Sequence, residues 1–308
     1  MAMELGRLGD EIGAPLPAAG DRALAAAPAA RQRRAWRYIR RHPTIVIGAA
    51  LLGLMLLMAV LAPYLGTVDP QAISPVDRLE WPSLQHWFGT DMLGRDVYSR
   101  TVYGARVSLT VGLMVALLST GLGLAIGLAT GFSRWADAIL MRVMDGLMSI
   151  PPVLIAIALM ALTRASLQNV IFAITVGEVP RVTRLVRGVV LGLRDLPFVE
   201  AARASGTSLP RILWRHILPN TVPLLLVQGT YTAASAMIVE AILSFLGAGT
   251  PPNIPSWGNI MAEGRALFEI AYYIVLFPGA FLSVTVLAVN LLGDGLRDAL
   301  DPRLARRM

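Results

Sequence analysis

The charge-free apolar run Thr44 to Leu65, preceded by Arg31, Arg33, Arg34, Arg37, Arg40 and Arg41, constrains this chain more than any other stretch. Crossing a bilayer takes about 20 consecutive apolar residues, and this run is long enough to do so. The arginines before it hold its leading end on the cytoplasmic side. A cleaved signal peptide would carry a shorter apolar core and would not be followed by more membrane segments. Here the apolar segments continue, so the run is read as an uncleaved first span.

Composition extends that reading to the whole chain. Over 308 residues, 55% are hydrophobic and only 15% charged, with a mean hydropathy of +0.61, which is more apolar than soluble domains tolerate. An all-α polytopic membrane protein is the fold class expected. Every one of the 27 basic residues is arginine. A phosphate-binding P-loop needs its lysine, so this chain cannot itself be a P-loop ATPase. With no cysteine, thiolate chemistry, disulfides and Cys-ligated metal are excluded. His42, His86 and His216 are too scattered to form a histidine site, and no metal site is expected. The net charge of +7 sits in arginines beside apolar runs, a pattern of cytoplasmic-side membrane anchoring and not of nucleic-acid binding.

Read in order, Met1 to Ala30 is an Ala, Pro and Gly-rich tail without apolar periodicity. Gly66 to Arg106 is a mixed polar stretch with Trp81, Trp87 and Tyr98, suited to an outer interface. Its charges Asp91, Arg95 and Asp96 are read as bracing the loop rather than meeting a partner, clustered loop charges being usually solvated. A second span covers about Val107 to Phe132. Its Gly123, Gly127 and Gly131 strip one helix face so that another backbone can approach, read as packing within the bundle rather than as a dimer seam. A third begins amphipathically at Ala136 to Met148, bends at Pro151 and Pro152, and continues as Val153 to Leu162. Arg142 and Asp145 can pair on one face of it. The fourth span begins at Asn169. Its inner half carries Glu178, Arg181, Arg184 and Arg187 at every third position, beside a candidate kink at Pro180. At the bilayer centre each charge would cost about 2.5 to 3.5 kcal/mol, so they belong at the cytoplasmic boundary or face protein and water. A fifth span, about Ile217 to Phe245, holds the solitary Glu240, an acid for helix packing or a gate, or else for substrate contact. A sixth, about Ile270 to Leu292, ends at Gly293-Asp294-Gly295 before a short amphipathic Leu296 to Leu300. Six spans with both termini cytoplasmic emerge. The expected layout is a tail with a basic flank over 1–42, a membrane domain over 43–302 with outer loops 66–106 and 247–269 and a cytoplasmic region 188–216, and a basic tail over 303–308.

Between the fourth and fifth spans lies Glu200 to Asn220, a conspicuous polar loop. Glu200 to Ser205 reads as a short helix with Ala201, Ala202 and Ser205 clustered on one side, and Glu200 can reach Arg203. Small residues permit close docking in a groove. Gly206 can leave the helix with positive φ. Ser208 can then cap a second helix through Leu209, with Pro210 in its first turn. The result is a lever exposed to the cytoplasm. No HExxH, no GxSxG and no acid–base pair within a span suggests an enzyme.

At these residues the chain resembles the inner-membrane permeases of ATP-binding-cassette importers, whose shared motif matches Glu200, Ala201, Ala202, Gly206, Leu218 and Pro219. One position departs: His216 stands where the family often has Ile. Three further stretches are similar to the dipeptide, oligopeptide and nickel group, in its C-type subunit: Phe88 to Arg106, Leu243 to Gly258 and Asn290 to Asp298. The resemblance implies a type I importer architecture in the bacterial inner membrane, and a heterodimer with a B-type permease. It also implies two ATPase subunits, which hold the ATP and Mg, and an extracytoplasmic substrate-binding protein. On that basis the ATPase-coupling residues are Glu200, Ala201, Ala202, Arg203, Ser205, Gly206, Ser208 and Leu209. Glu240 and Glu178 are gate or pathway candidates, and Pro151, Pro152 and Pro180 candidate hinges. No cofactor and no bond chemistry are expected of the chain itself. The expected role is half of a pathway for di- or oligopeptides; the alternative is an ion- or proton-coupled secondary transporter or channel built on its intramembrane acids.

Overall fold

A computed structural model describes residues 43–300; the two expected tails, 1–42 and 303–308, lie outside the described residues. Among those residues the fold is helical throughout, with no strand beyond a single bridge between Thr90 and Asp96. In a lipid solvent that is the expected outcome, because a helix bonds its own backbone. The helices are α1 (Pro43–Leu61), α2 (Val97–Phe132), α3 (Arg134–Met148), α4 (Pro152–Leu162), α5 (Leu167–Arg194), α6 (Pro197–Ala204), α7 (Leu209–Phe245), α8 (Trp257–Gly264) and α9 (Tyr273–Leu300).

Four of these, α1, α2, α7 and α9, are long and apolar enough to cross a membrane, and the broken pair α3 and α4 raises the number to as many as five. Helix α5 has the length but carries the charged stripe that lowers its apolarity. By length and apolarity the described residues thus provide four to five spans, against the six expected from the sequence, with α5 the segment that makes the difference.

Several boundaries differ from the sequence expectation for identifiable reasons. Helix α2 starts ten residues before Val107: the Asp96 carboxylate caps it, accepting from the Ser99 backbone N–H at 2.7 Å, so Val97 to Arg106 are helical and not loop. At 36 residues it is about 54 Å long and projects beyond a hydrocarbon core of about 30 Å. Pro151 and Pro152 do more than bend the third segment. They break it, leaving α3 and α4 at 91°. Pro180, by contrast, lies inside an uninterrupted α5. Helix α9 runs straight through Gly293 and Gly295, where the sequence suggested an end. A Cβ on Gly293 would sit 2.2 Å from the Thr230 hydroxyl, and one on Gly295 would sit 2.3 Å from Ile45. These glycines are points of close helix approach, not terminators.

The glycine stripe of α2 has the same purpose. A Cβ at Gly123, Gly127 or Gly131 would come within 2.6 Å of Val182, Val186 or Val190 respectively. Both stripes advance by four residues in the same direction, so α2 and α5 run parallel in close contact. Helix α4 returns antiparallel along α5: Gly177 faces Pro152, while Ala156 and Met160 share a core with Val170 and Ala173.

The segment between α1 and α2 is fixed to α2 and α8 by buried charge. Arg100 is 1% exposed and donates to both Asp91 and Glu263, the latter at 3.0 Å through its second nitrogen. Arg95 bridges the same two acids at 2.7 and 2.6 Å. Asp91, Arg95 and Asp96 therefore do brace the loop, but as a largely buried network and not as a solvated cluster. Tyr273 adds a donor to the carbonyls of Glu80 and Thr90 at 2.9 and 3.1 Å.

Candidate functional site

The polar loop between α5 and α7 forms a compact projection. Leu196 and Pro197 start α6. Ser205 and Gly206 end it with two backbone bonds, Gly206 N–H to the Arg203 carbonyl at 2.9 Å and Thr207 N–H to the Ala202 carbonyl at 3.0 Å. That pair of bonds requires a left-handed residue between them, and Gly206 supplies it at φ 74° with nothing within 4 Å of a would-be Cβ. The chain then turns through Ser208 directly into α7.

Helix α7 is continuous from the projection into its span, with one π turn at Leu213–Ile217 where Leu218 N–H bonds the Leu213 carbonyl. The wider turn falls just before Pro219, which lacks an N–H and crowds the preceding turn of a regular helix. The Asn220 side chain donates to the His216 carbonyl at 2.7 Å. The motif's Leu218-Pro219 thus lies inside the helix that joins lever to span.

The projection has a rooted side and a free side. Val199, Ile212 and Ile217 are buried together with Val182, Val186 and Val190 of α5, and Leu124, Leu128 and Phe132 of α2 pack on the same cluster. Glu200, Ala201, Arg203, Ser205, Gly206, Ser208 and Leu209 are exposed. Ala202 is an exception to the expected small-residue face. At about 100° per residue it turns away from Ala201, and it packs inward against the apolar cluster; Ala204 joins Ala201 and Ser205 outside instead. Two expected contacts are replaced. Arg203 does not pair with Glu200 but lies 5.8 Å over the Phe132 ring. Ser208 occupies the cap position without a side-chain bond, its carbonyl accepting from Arg211 and Ile212 at 3.0 Å each.

The C-terminal half of α5 is tied across to α3. Arg187 forks onto Asp137 at 2.5 and 2.8 Å, and Arg184 reaches Asp145 at 2.6 Å. These inter-helix pairs displace the expected Arg142–Asp145 pair, because Asp145 is engaged by α5. Glu178 is buried, accepts from Ser235 of α7 at 3.1 Å, and lies 3.6 Å from the exposed Arg181. Its other oxygen, with the Ser119 and Thr183 hydroxyls, lacks a hydrogen-bond partner.

Glu240 is 0% exposed. Its Oε1 accepts from Ser244 and Ser256 at 2.8 Å each. Ser256 in turn caps α8 through the Asn259 N–H at 3.1 Å, and the Asn259 amide holds four oxygens of the 250–254 loop. The acid thus fastens the loop between α7 and α8 to α7. Neither Glu178 nor Glu240 lines the open apolar cleft of about 940 Å³ between α1, α2, α7 and α9, which is bordered by Leu56, Leu113, Leu117 and Met237 with Arg106 among its few polar residues.

Sequence reasoning missed Glu263, the bond from Ser256 to Glu240, and the α5 partners of Asp137 and Asp145. The Asp137, Asp145 and Arg184, Arg187 sets are complementary in sign, and the valine stripe repeats the glycine spacing; these were the available signals. Glu263 lies over 160 positions from Arg100 in sequence and left no local signal.

Residues 119–306 match the family of binding-protein-dependent transport system inner membrane components, and residues 32–82 match the N-terminal transmembrane domain of oligopeptide transport permease C. A probable peptide ABC transporter permease of Sinorhizobium fredii is 56% identical over 88% of this chain and 93% of its own length. A glutathione transport system permease of Escherichia coli is 42% identical over 87% of this chain and 89% of its own. Among solved structures, an inward-facing MetNI methionine ABC transporter chain aligns with a TM-score of 0.55 at 24% identity, covering 65% of this chain and 96% of that one; this likeness concerns the fold. The chain belongs to the binding-protein-dependent transport system inner membrane components, as a multi-pass ABC importer permease of the oligopeptide permease C type.

Proposed function

We propose that this permease forms half of the translocation pathway of an ATP-driven importer for di- or oligopeptides, and that the projection Pro197 to Leu209 receives the motion of a separate ATPase subunit. The observation that carries this reading is the division of the projection into a small-residue outer face and a root shared with α2 and α5. A force applied to the outer face is delivered to the glycine–valine seam, because packed cores shift between discrete arrangements instead of deforming continuously.

In this reading the chain crosses the bacterial inner membrane six times. Helix α5 is the span whose charges face α3 and α7, and both termini are cytoplasmic. A B-type permease completes the pathway, two ATPases hold ATP and Mg, and an extracytoplasmic binding protein delivers the substrate. Peptide cargo is inferred from the named cargoes of the relatives, which include peptides and glutathione. The right-angle break at Pro151 and Pro152 is the favoured hinge, with Pro180 a secondary one. Glu240 is a loop-fastening acid, and Glu178 keeps the gate assignment through its contact with α7. The absence of lysine from the sequence supports an ATPase site on another chain.

The test is thiol cross-linking in the assembled transporter. Ala201→Cys or Ser205→Cys, both on the free face, should cross-link to an ATPase subunit, whereas Val199→Cys, on the buried root, should not. Failure of both exposed positions to reach an ATPase at any stage of the ATP cycle contradicts the coupling role.

A further inference from the structure

Helix α3 presents an apolar face that the fold does not cover. Trp135 is 82% exposed, Ile139 61% and Val143 52%, and at about 100° per residue they fall on one arc of about 80°. Met144, on the far side, is buried, and Asp137 and Asp145 are tied to α5. Arg142 borders the exposed arc, about 20° beyond Trp135, while Arg134 opens the helix about 100° from Trp135 on the polar side; neither has an acid partner among the described residues.

The orientation of α3 decides what the arc meets. Helices α2 and α5 run parallel along the glycine–valine seam, and α4 lies antiparallel along α5. Helix α4 is therefore aligned with α2, an apolar span, and α3 stands at 91° to α4. A helix at right angles to the spans lies in the plane of the membrane. Its ion pairs agree: Asp137 and Asp145, two turns apart, reach Arg187 and Arg184, less than one turn apart, as expected where one helix crosses another. This crossing sits at the end of α5 that carries the lever.

We propose that α3 is an interfacial helix seated in the cytoplasmic leaflet, with Trp135, Ile139 and Val143 among the acyl chains and Arg134 and Arg142 on acidic phospholipid headgroups. An apolar arc with arginine on its polar side and a Trp at its end, lying at right angles to the spans, is the chemistry and the orientation of such a surface. Through Asp137 and Asp145 the helix ties the inner half of α5 to the bilayer surface, so the lever swings against a reference set by lipid.

The chain contains no cysteine, so one introduced thiol is its only one. Spin labels at Ile139→Cys and Val143→Cys, in the assembled transporter in nanodiscs containing phosphatidylglycerol, should report a depth about 5–10 Å below the headgroups, with Ala138→Cys nearer water. Labels at Ile139 and Val143 shielded from both oxygen and a water-soluble relaxant would mean that a protein partner covers the face, and would overturn the proposal. So would labels as open to water as Ala138. Replacing phosphatidylglycerol by phosphatidylcholine should lower the ATPase rate of the parent transporter and leave that of the Arg134→Gln/Arg142→Gln variant unchanged; an equal fall in both overturns the headgroup contact. The choice of leaflet rests on the cytoplasmic placement of the lever. Ala138→Cys reacting with an impermeant reagent only from the opposite side overturns the leaflet, while the depth readings judge the in-plane placement by themselves.

Discussion

At the scale of single residues, buried charge and close backbone approach carry most of the specificity. Arg100 binds two acids at 1% exposure, and breaking a buried pair by removing one partner costs about 3–5 kcal/mol. Arg100→Gln should therefore lower the thermal transition of the purified transporter markedly, and Arg95→Gln, on the more open side of the network, should lower it less. Equal effects would show that the network is not organised around Arg100. The seam gives a second contrast. At Gly127 an added Cβ meets Val186 at 2.6 Å, whereas at Gly121, on the same helix, nothing lies within 4 Å. Overpacking of this kind costs about 1–3 kcal/mol, so Gly127→Ala should destabilise the purified protein while Gly121→Ala does not, as read by the same thermal assay.

At the scale of elements, the proposed coupling makes the tie between α3 and α5 and the rooted projection the units that move or resist. Asp137→Arg and Arg187→Asp should each impair uptake, and the two together should restore part of it; a double variant no better than either single one contradicts a pairwise tie. The lever makes a size prediction. Ala201→Trp adds bulk on the free face and should abolish uptake and co-purification of the ATPase with the permease still in the membrane, while Thr207→Ser should be tolerated. The same elements show what was legible in the sequence. The lever's helix, its Gly206 turn and its passage into a span could be read because each depends on local chemistry: small residues, positive φ, and proline near a helix start. Partners could not be read. Glu200–Arg203 and Arg142–Asp145 are sound pairs within one helix, yet Arg203 rests on Phe132 and Asp145 is bound by Arg184, because tertiary neighbours outcompete partners one turn away. Gly293 and Gly295 look like a stop until Thr230 and Ile45 are seen beside them.

At the scale of the whole molecule, the proposed function is that of a permease whose spans are driven from one end by the Pro197 to Leu209 projection. The apolar runs made the membrane class plain. The span count was harder, because α5 trades apolarity for the charges that bind α3, and α3 leaves the direction of the spans at Ser149 to Pro151. The proton-coupled alternative assigns the work to buried acids, yet Glu240 is fully buried and its Oε1 is engaged by Ser244 and Ser256 in fastening a loop, with Oε2 left without a partner. The most direct measurement is peptide uptake into proteoliposomes holding the assembled transporter, with ATP on the lever side, for the parent and for Gly206→Pro. Proline cannot adopt φ 74° and lacks the N–H that Gly206 gives to the Arg203 carbonyl. The account predicts that parental uptake requires ATP and is indifferent to an uncoupler, and that Gly206→Pro inserts and assembles but does not transport. Uptake by Gly206→Pro at the parental rate, or parental uptake that collapses with an uncoupler while ATP is held constant, would contradict it.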